Sequence, residues 1–162
     1  MANIFNPQEI LKIAINVEAN GEKLYAALEA KASGEKVKTV WKHLKEEEVE
    51  HRKTFQEMLD NAGEYIVYES YEGEIDAYLK AIASEYIITQ DLAQQKSAES
   101  FANDLDAVNF GIQIEKDSIL TYSAFKKYIR DSKKAVLDKV IGQERHHLSN
   151  LVLLKASLKK EG

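Results

Sequence analysis

The sequence predicts an all-α fold: a four-helix bundle assembled from one helix hairpin used twice, with a long crossover containing a short helix between the second and third helices. Three observations carry this. Long stretches place apolar residues at offsets of three and four, the mark of one buried helix face. The single proline among 162 residues, Pro7, stands where a helix would begin, not inside one. The two halves also match at a nearly constant offset. Ala14, Glu18, Gly21 and Tyr25 lie 97 residues before Gly111, Glu115, Ser118 and Tyr122, and Glu48 and His51 lie 96 before Glu144 and His147. A hairpin repeated in this way is expected to pair with its copy about a pseudo-twofold axis.

Asn6-Pro7-Gln8-Glu9 supplies an N-cap side chain, a proline at the first helical position and a glutamate at the third, so the first helix is expected from there to about Ala32. Its inward face reads Ile10 or Leu11, Ala14, Glu18, Gly21, Tyr25 and Leu28, leaving Lys12, Asn16, Lys23 and Lys31 to solvent. Ser33-Gly34 makes a turn, and a second helix follows from about Glu35 to Asn61, stopping before Gly63. From Glu64 to Ser100 the pattern weakens. Tyrosines recur at 65, 68 and 71 without a clean stripe, which suits an extended crossover, and the spacing of Ala77, Tyr78, Ile82 and Tyr86 places a short helix over 75–88. Packing of amphipathic rings explains these tyrosines better than redox relays do. The third helix is expected over about Asn103 to Tyr128. After the Arg130-Asp131-Ser132 turn, the fourth runs to about Lys159.

Composition narrows the function classes. The length suits a single domain over 1–162, able to bury roughly two thirds of its unfolded surface. With 44% hydrophobic and 30% charged residues and no Gly- or Ser-rich tract, no linker or long disordered tail is expected. No apolar run is long enough to span a membrane, and MANIFNPQEI lacks the features of a signal peptide, so a cytoplasmic location is expected. The net charge of −5 argues against a nucleic-acid footprint, and the Lys-rich stretch 155–160 fits the end of a helix. The absence of cysteine excludes disulfides, thiolate nucleophiles, iron–sulfur clusters and cysteine-bound zinc. Any metal must be held by oxygen and imidazole.

Glu48-x-x-His51 and Glu144-x-x-His147 each put a carboxylate and an imidazole three positions apart, on one helix face, where both can reach the same ion. One such pair means little, since 19 glutamates and 4 histidines give about 0.5 chance occurrences in a chain of this length. Context makes the case. Both pairs interrupt an apolar stripe: Leu44, Glu48, His51, Phe55 in one copy and Val140, Glu144, His147, Leu151 in the other. Neither side chain is cheap to bury alone. Glu18 and Glu115 occupy the corresponding odd positions on the first and third helices. Glu18, Glu48, His51, Glu115, Glu144 and His147 therefore form a candidate set around two metals. Glu22, Glu46, Glu47 and Glu50 are read as solvated charges, Glu22 being the best spare ligand though its repeat partner is Ile119. His43 and His146 lie off the stripe, and Trp41 is read as core.

In VEANGEKLY with EEVEHRKTF, and again in IEKDSILTY with GQERHHLSN, the chain resembles the rubrerythrin branch of the ferritin-like di-iron carboxylate superfamily over essentially its whole length. The resemblance implies a ferritin-like bundle with two iron ions in that six-residue set, and a homodimer. It also implies reduction of hydrogen peroxide or oxygen at the metals. Rubrerythrins carry a cysteine-ligated rubredoxin domain, which this chain lacks, so the electrons would come from an external donor protein. They also carry a further glutamate one turn before the third-helix ligand, where this chain has Ile112, leaving the plainer six-ligand set.

Four carboxylates match the charge of two divalent cations, and oxygen-rich ligation with one imidazole per metal suits iron, with manganese or a mixed pair next. Tyr25 and Tyr122 are expected to hydrogen-bond the carboxylates. The small residues Ala14, Gly21, Gly111 and Ser118 are expected to leave room above the metals for oxygen or peroxide. Three functions remain open: a peroxide- or oxygen-consuming oxidoreductase, a ferroxidase that handles iron, and a metal-stabilised scaffold or sensor. A cage-forming extra C-terminal helix is not recognisable, which ranks the ferroxidase second.

Overall fold

The computed structural model describes residues 7–63, 77–78, 81 and 101–161. Four long helices account for nearly all of them: α1 Pro7–Lys31, α2 Glu35–Asp60, α3 Asp104–Phe125 and α4 Asp131–Glu161, with a 3₁₀ turn at Lys126–Tyr128 closing α3. No strand occurs among the described residues. The ends agree with the sequence reading to within two residues, apart from the tightened last turn of α3 and the start of α4 at Asp131. The cap at Asn6 and most of the 64–100 crossover, with its expected helix over 75–88, lie outside the described residues.

Local chemistry sets the boundaries. Gly34 takes an extended conformation ahead of α2, and at the other end Asn61 turns its side chain back to the Glu57 carbonyl at 2.7 Å. Gly63 follows in the left-handed region, at φ 59°, where a residue with a Cβ would be strained. Asn103 caps α3 by accepting from the Asp106 amide at 2.9 Å. Asp104 then reaches across to the other hairpin, its two carboxylate oxygens accepting from the amides of Ser33 and Gly34 at 3.1 and 3.0 Å. One side chain thus satisfies the α1–α2 turn and ties it to the start of α3.

α1 packs along α2 and α3 along α4, while the two hairpins approach each other less closely, α2 toward α4 and α1 toward α3. Side chains fill the space between them. Ile10, Leu24, Trp41, Leu44, Phe55, Phe125, Leu137 and Leu151 form the apolar core, and Trp41 is fully buried, as its place on the stripe implied. Midway along this core lie buried Glu18, Glu48, His51, Glu115, Glu144 and His147.

Two glycines in these helices have opposite surroundings. A Cβ on Gly111 would stand 2.7 Å from the Trp41 ring and 3.3 Å from Leu151, so the indole occupies the space a side chain would need. A Cβ on Gly142 would meet nothing within 4 Å. Alanine favours a helix over glycine by about 0.5–1 kcal/mol, whereas overfilling a packed core costs about 1–3 kcal/mol. Gly142→Ala is therefore expected to raise the denaturation midpoint and Gly111→Ala to lower it, both read in the same urea titration.

Candidate metal centre

Each helix brings its ligand candidates to the bundle axis because each acidic or imidazole side chain sits on the buried stripe of its own helix. Glu18 comes from α1, Glu48 and His51 from α2, Glu115 from α3, and Glu144 and His147 from α4. The structure brings all six together in two overlapping groups. Glu18, Glu48, His51 and Glu144 offer ligand atoms that all lie within 4.8 Å of one another, and so do Glu48, Glu115, Glu144 and His147. Glu48 and Glu144 belong to both groups. Glu18 with His51, and Glu115 with His147, belong to one each.

The atoms facing this centre lack the partners that burial normally demands. Glu18 Oε2, Glu115 Oε2, Glu144 Oε1, His51 Nδ1 and His147 Nδ1 are all buried without a hydrogen bond. His51 Nδ1 stands 2.8 Å from Glu144 Oε1 and 3.5 Å from Glu18 Oε2, close but not aligned for a hydrogen bond. His147 Nδ1 stands 3.4 Å from Glu144 Oε2 and 3.5 Å from Glu115 Oε2. Unpaired buried polar atoms cost on the order of 1–3 kcal/mol each, so a converging set of them calls for a common partner. A pair of cations supplies one, and the donor set of carboxylate oxygen and imidazole nitrogen fits it.

The surrounding hydrogen bonds cross between hairpins. Tyr25 of α1 donates its hydroxyl proton to Glu115 Oε1 of α3 at 2.5 Å, and Tyr122 of α3 donates to Glu18 Oε1 of α1. Burial, then the nearby carboxylates, push both phenols well above their ordinary range, so they remain protonated donors. The expected tyrosine–carboxylate bonds are present, each from the opposite half of the repeat. Tyr25 is also stacked on Trp41, ring centroids 5.6 Å apart, while Tyr122 packs against Phe55 at 5.1 Å.

Two sequence expectations change. At two of the four small positions the expected room is filled: a Cβ on Gly21 would lie 2.9 Å from Glu48 Oε2, and the space at Gly111 holds Trp41. Glycine at 21 lets the Glu48 carboxylate lie against the α1 backbone. Glu47, read as a solvated charge, instead accepts from His147 Nε2 at 2.5 Å. No sequence signal marks it, because it stands one residue off the stripe and its repeat counterpart is Gln143. Glu22 keeps its expected peripheral place, paired with Arg52 at 3.0 Å.

Charge is redistributed accordingly. Burial, reinforced by Glu18, pushes Glu48 well above the carboxylate range, and burial with the adjacent Glu144 pushes Glu115 up to about 8. Burial works against the charge of Glu144 too, but His147 and His51 outweigh it and hold this carboxyl far below its usual value. Burial alone would lower the histidines. Glu144 and Glu18 instead raise His51 to about 10, and Glu115 and Glu144 raise His147 to about 11. Burial disfavours the charge of Glu47 as well, yet His147 and His43 lower it.

The family model for rubrerythrin matches residues 9–155. The chain belongs to the rubrerythrin family. No curated protein matches its sequence significantly. Among solved structures, a crystal structure assigned as a ferritin-like diiron-carboxylate protein from Thermotoga maritima is similar in fold. Its TM-score is 0.67 and its identity 24%, over 96% of this chain and 98% of that one. None of the 162 residues is a cysteine, and no described helix is long and apolar enough to cross a membrane. Family and buried Glu/His cluster together mark the centre as a candidate metal site.

Metal uptake should release protons. Without metal at neutral pH, His51, His147, Glu48 and Glu115 all lie below their raised pKa values and carry protons that ligation must displace. Affinity is therefore expected to rise from about pH 6 to about pH 8, with acidification on adding metal to an unbuffered sample. Titrations at several pH values with a pH electrode check this; affinity that falls with pH would contradict it. Chelation should also destabilise the protein. A metal held at about a hundred times its dissociation constant adds about 2.7 kcal/mol, or about 5–10 °C in melting temperature for a domain of this size. Calorimetry with and without chelator measures it.

Proposed function

We propose that this rubrerythrin-family protein is a di-iron oxidoreductase that reduces hydrogen peroxide, or oxygen, with electrons from an external donor. One observation carries the reading: two ligand groups that share Glu48 and Glu144, each completed by its own glutamate and histidine. Six oxygen and nitrogen donors in two overlapping sets suit a pair of iron ions, manganese being the next choice. Bound there, such a pair supplies two one-electron oxidations, the number needed to reduce one peroxide to two waters.

The chain's own residues set the conditions. The apolar core around Leu44, Phe55, Val140 and Leu151 keeps bulk water from the centre. Tyr25 and Tyr122 hold Glu115 and Glu18 by one oxygen each, leaving the other oxygen of each carboxylate unpaired and directed inward. Glu144 presents one oxygen toward His51 and the other toward His147, so it could contribute to both ligand groups. With no cysteine-ligated relay among these 162 residues, a separate redox protein is the natural source of electrons.

Anaerobic ferrous-loaded protein mixed with peroxide is expected to develop di-ferric absorbance and, with a reductant, to turn over. Glu144→Ala should lower metal affinity by about 10–100-fold or more and abolish the absorbance change, while far-ultraviolet circular dichroism stays helical. Ferrous protein inert to peroxide, or oxygen consumption that deposits ferric iron in a large assembly, would replace this reading with the ferroxidase one. Unchanged peroxide chemistry in Glu144→Ala would place the reaction elsewhere.

A further inference from the structure

We propose that the two halves of the metal centre are inequivalent, the Glu115–His147 half binding metal more tightly than the Glu18–His51 half, because Glu47 accepts from His147 Nε2 while, among the described residues, no carboxylate accepts from His51 Nε2. The proposal rests on the metal reading above and adds an order of binding to it.

The six ligand positions are symmetric in the repeat, but their supports are not. His147 presents Nδ1 to the cluster and gives its Nε2 proton to Glu47 Oε2. Once a metal displaces the Nδ1 proton, that bond keeps the remaining proton on Nε2 and leaves the Nδ1 lone pair for the ion. It also holds the ring in place, and the negative partner makes Nδ1 a stronger donor. His51 likewise presents Nδ1 to Glu18 and Glu144, yet its Nε2 is buried with no partner. Among the described residues no carboxylate accepts a proton at that nitrogen to fix the tautomer. The position 96 residues after Glu47, which the repeat would set opposite His51, is Gln143, an uncharged residue.

Glu47 therefore acts as a positioning residue. It is only partly buried, its side chain 28% exposed against 0% for His147, so its substitution disturbs little of the core. A cation in the Glu115–His147 half gains a pre-oriented imidazole and an additional nearby negative charge. A cation in the other half gains neither and must itself orient His51. Loss of a carboxylate supporting a ligating histidine typically costs about 10–100-fold in metal affinity, which sets the separation expected between the two binding steps.

Calorimetric titration of the metal-free full chain with manganese(II) alone tests this. The wild type is expected to bind in two steps separated by about 10–100-fold. Crystals grown with one equivalent of manganese should show anomalous density on the Glu115–His147 side. Glu47→Gln should weaken the tight step by that factor and leave the weak step unchanged, with the metal-free protein still helical by far-ultraviolet circular dichroism. Gln143→Ala should change neither step. Two equal steps in the wild type, first occupancy beside His51, or an unaltered titration in Glu47→Gln would overturn the inequivalence and leave the metal site standing. No manganese bound at all, in a sample that remains helical, would overturn the metal site and the inequivalence together.

Discussion

Everything in this bundle is arranged around four carboxylates held in an apolar core. Isolated ionised carboxyl groups do not survive burial without compensation; they pair, bind a cation or take up a proton. In the metal-free protein the compensation is internal. Glu48 and Glu115 are pushed toward the neutral form, and His51 and His147 toward the charged one. The protons these groups hold offset the carboxylate charge, and a bound cation would take over that role. A cluster that would be repulsive if fully ionised can thus persist in either state without the bundle rearranging.

The same constraint explains the crossed hydrogen bonds. Each hairpin carries one lone glutamate and one Glu-x-x-His pair, so neither hairpin alone contains a complete ligand group. Each group in fact draws on both hairpins, Glu144 joining Glu18, Glu48 and His51, and Glu48 joining Glu115, Glu144 and His147. Tyr25 to Glu115 and Tyr122 to Glu18 run between hairpins as well, as does Asp104 to the Ser33-Gly34 turn. Docking of the hairpins and assembly of the centre are consequently one event. Buried networks of this kind favour a unique arrangement, because any other register leaves several polar groups unsatisfied.

The buried Glu/His cluster was legible in sequence because periodicity and repetition act on the same residues. A glutamate or histidine on an apolar stripe is anomalous by itself, and the repeat shows the anomaly twice. The supporting residues carry no such double mark. Glu47 is adjacent to a ligand but about 100° around the helix from it, and its counterpart Gln143 differs, so the repeat argument discards it. Gly21 and Gly111 were recognisably small on an inward face, but only packing reveals that one accommodates the Glu48 carboxylate and the other the Trp41 indole. The partner of each tyrosine was equally hidden. Seven residues along a helix suggests a ligand on the same helix, whereas a side chain directed across the bundle finds the facing one.

Repetition and asymmetry in this protein therefore have separate physical origins. The candidate ligands match between halves, as a pair of like cations would demand of each: carboxylate oxygens, one imidazole and enough negative charge. Surrounding positions answer only to their own packing, and they have diverged. Trp41 corresponds to Leu137, and Gly111, which admits the indole, corresponds to Ala14. Tyr25 consequently stacks on an indole while Tyr122 is enclosed by Phe55 and Phe125. Substitutions of this kind leave the ligand count intact but change how firmly each ligand is held and what lies beyond it. In a symmetric centre, that is the level at which the two metals can be made to differ.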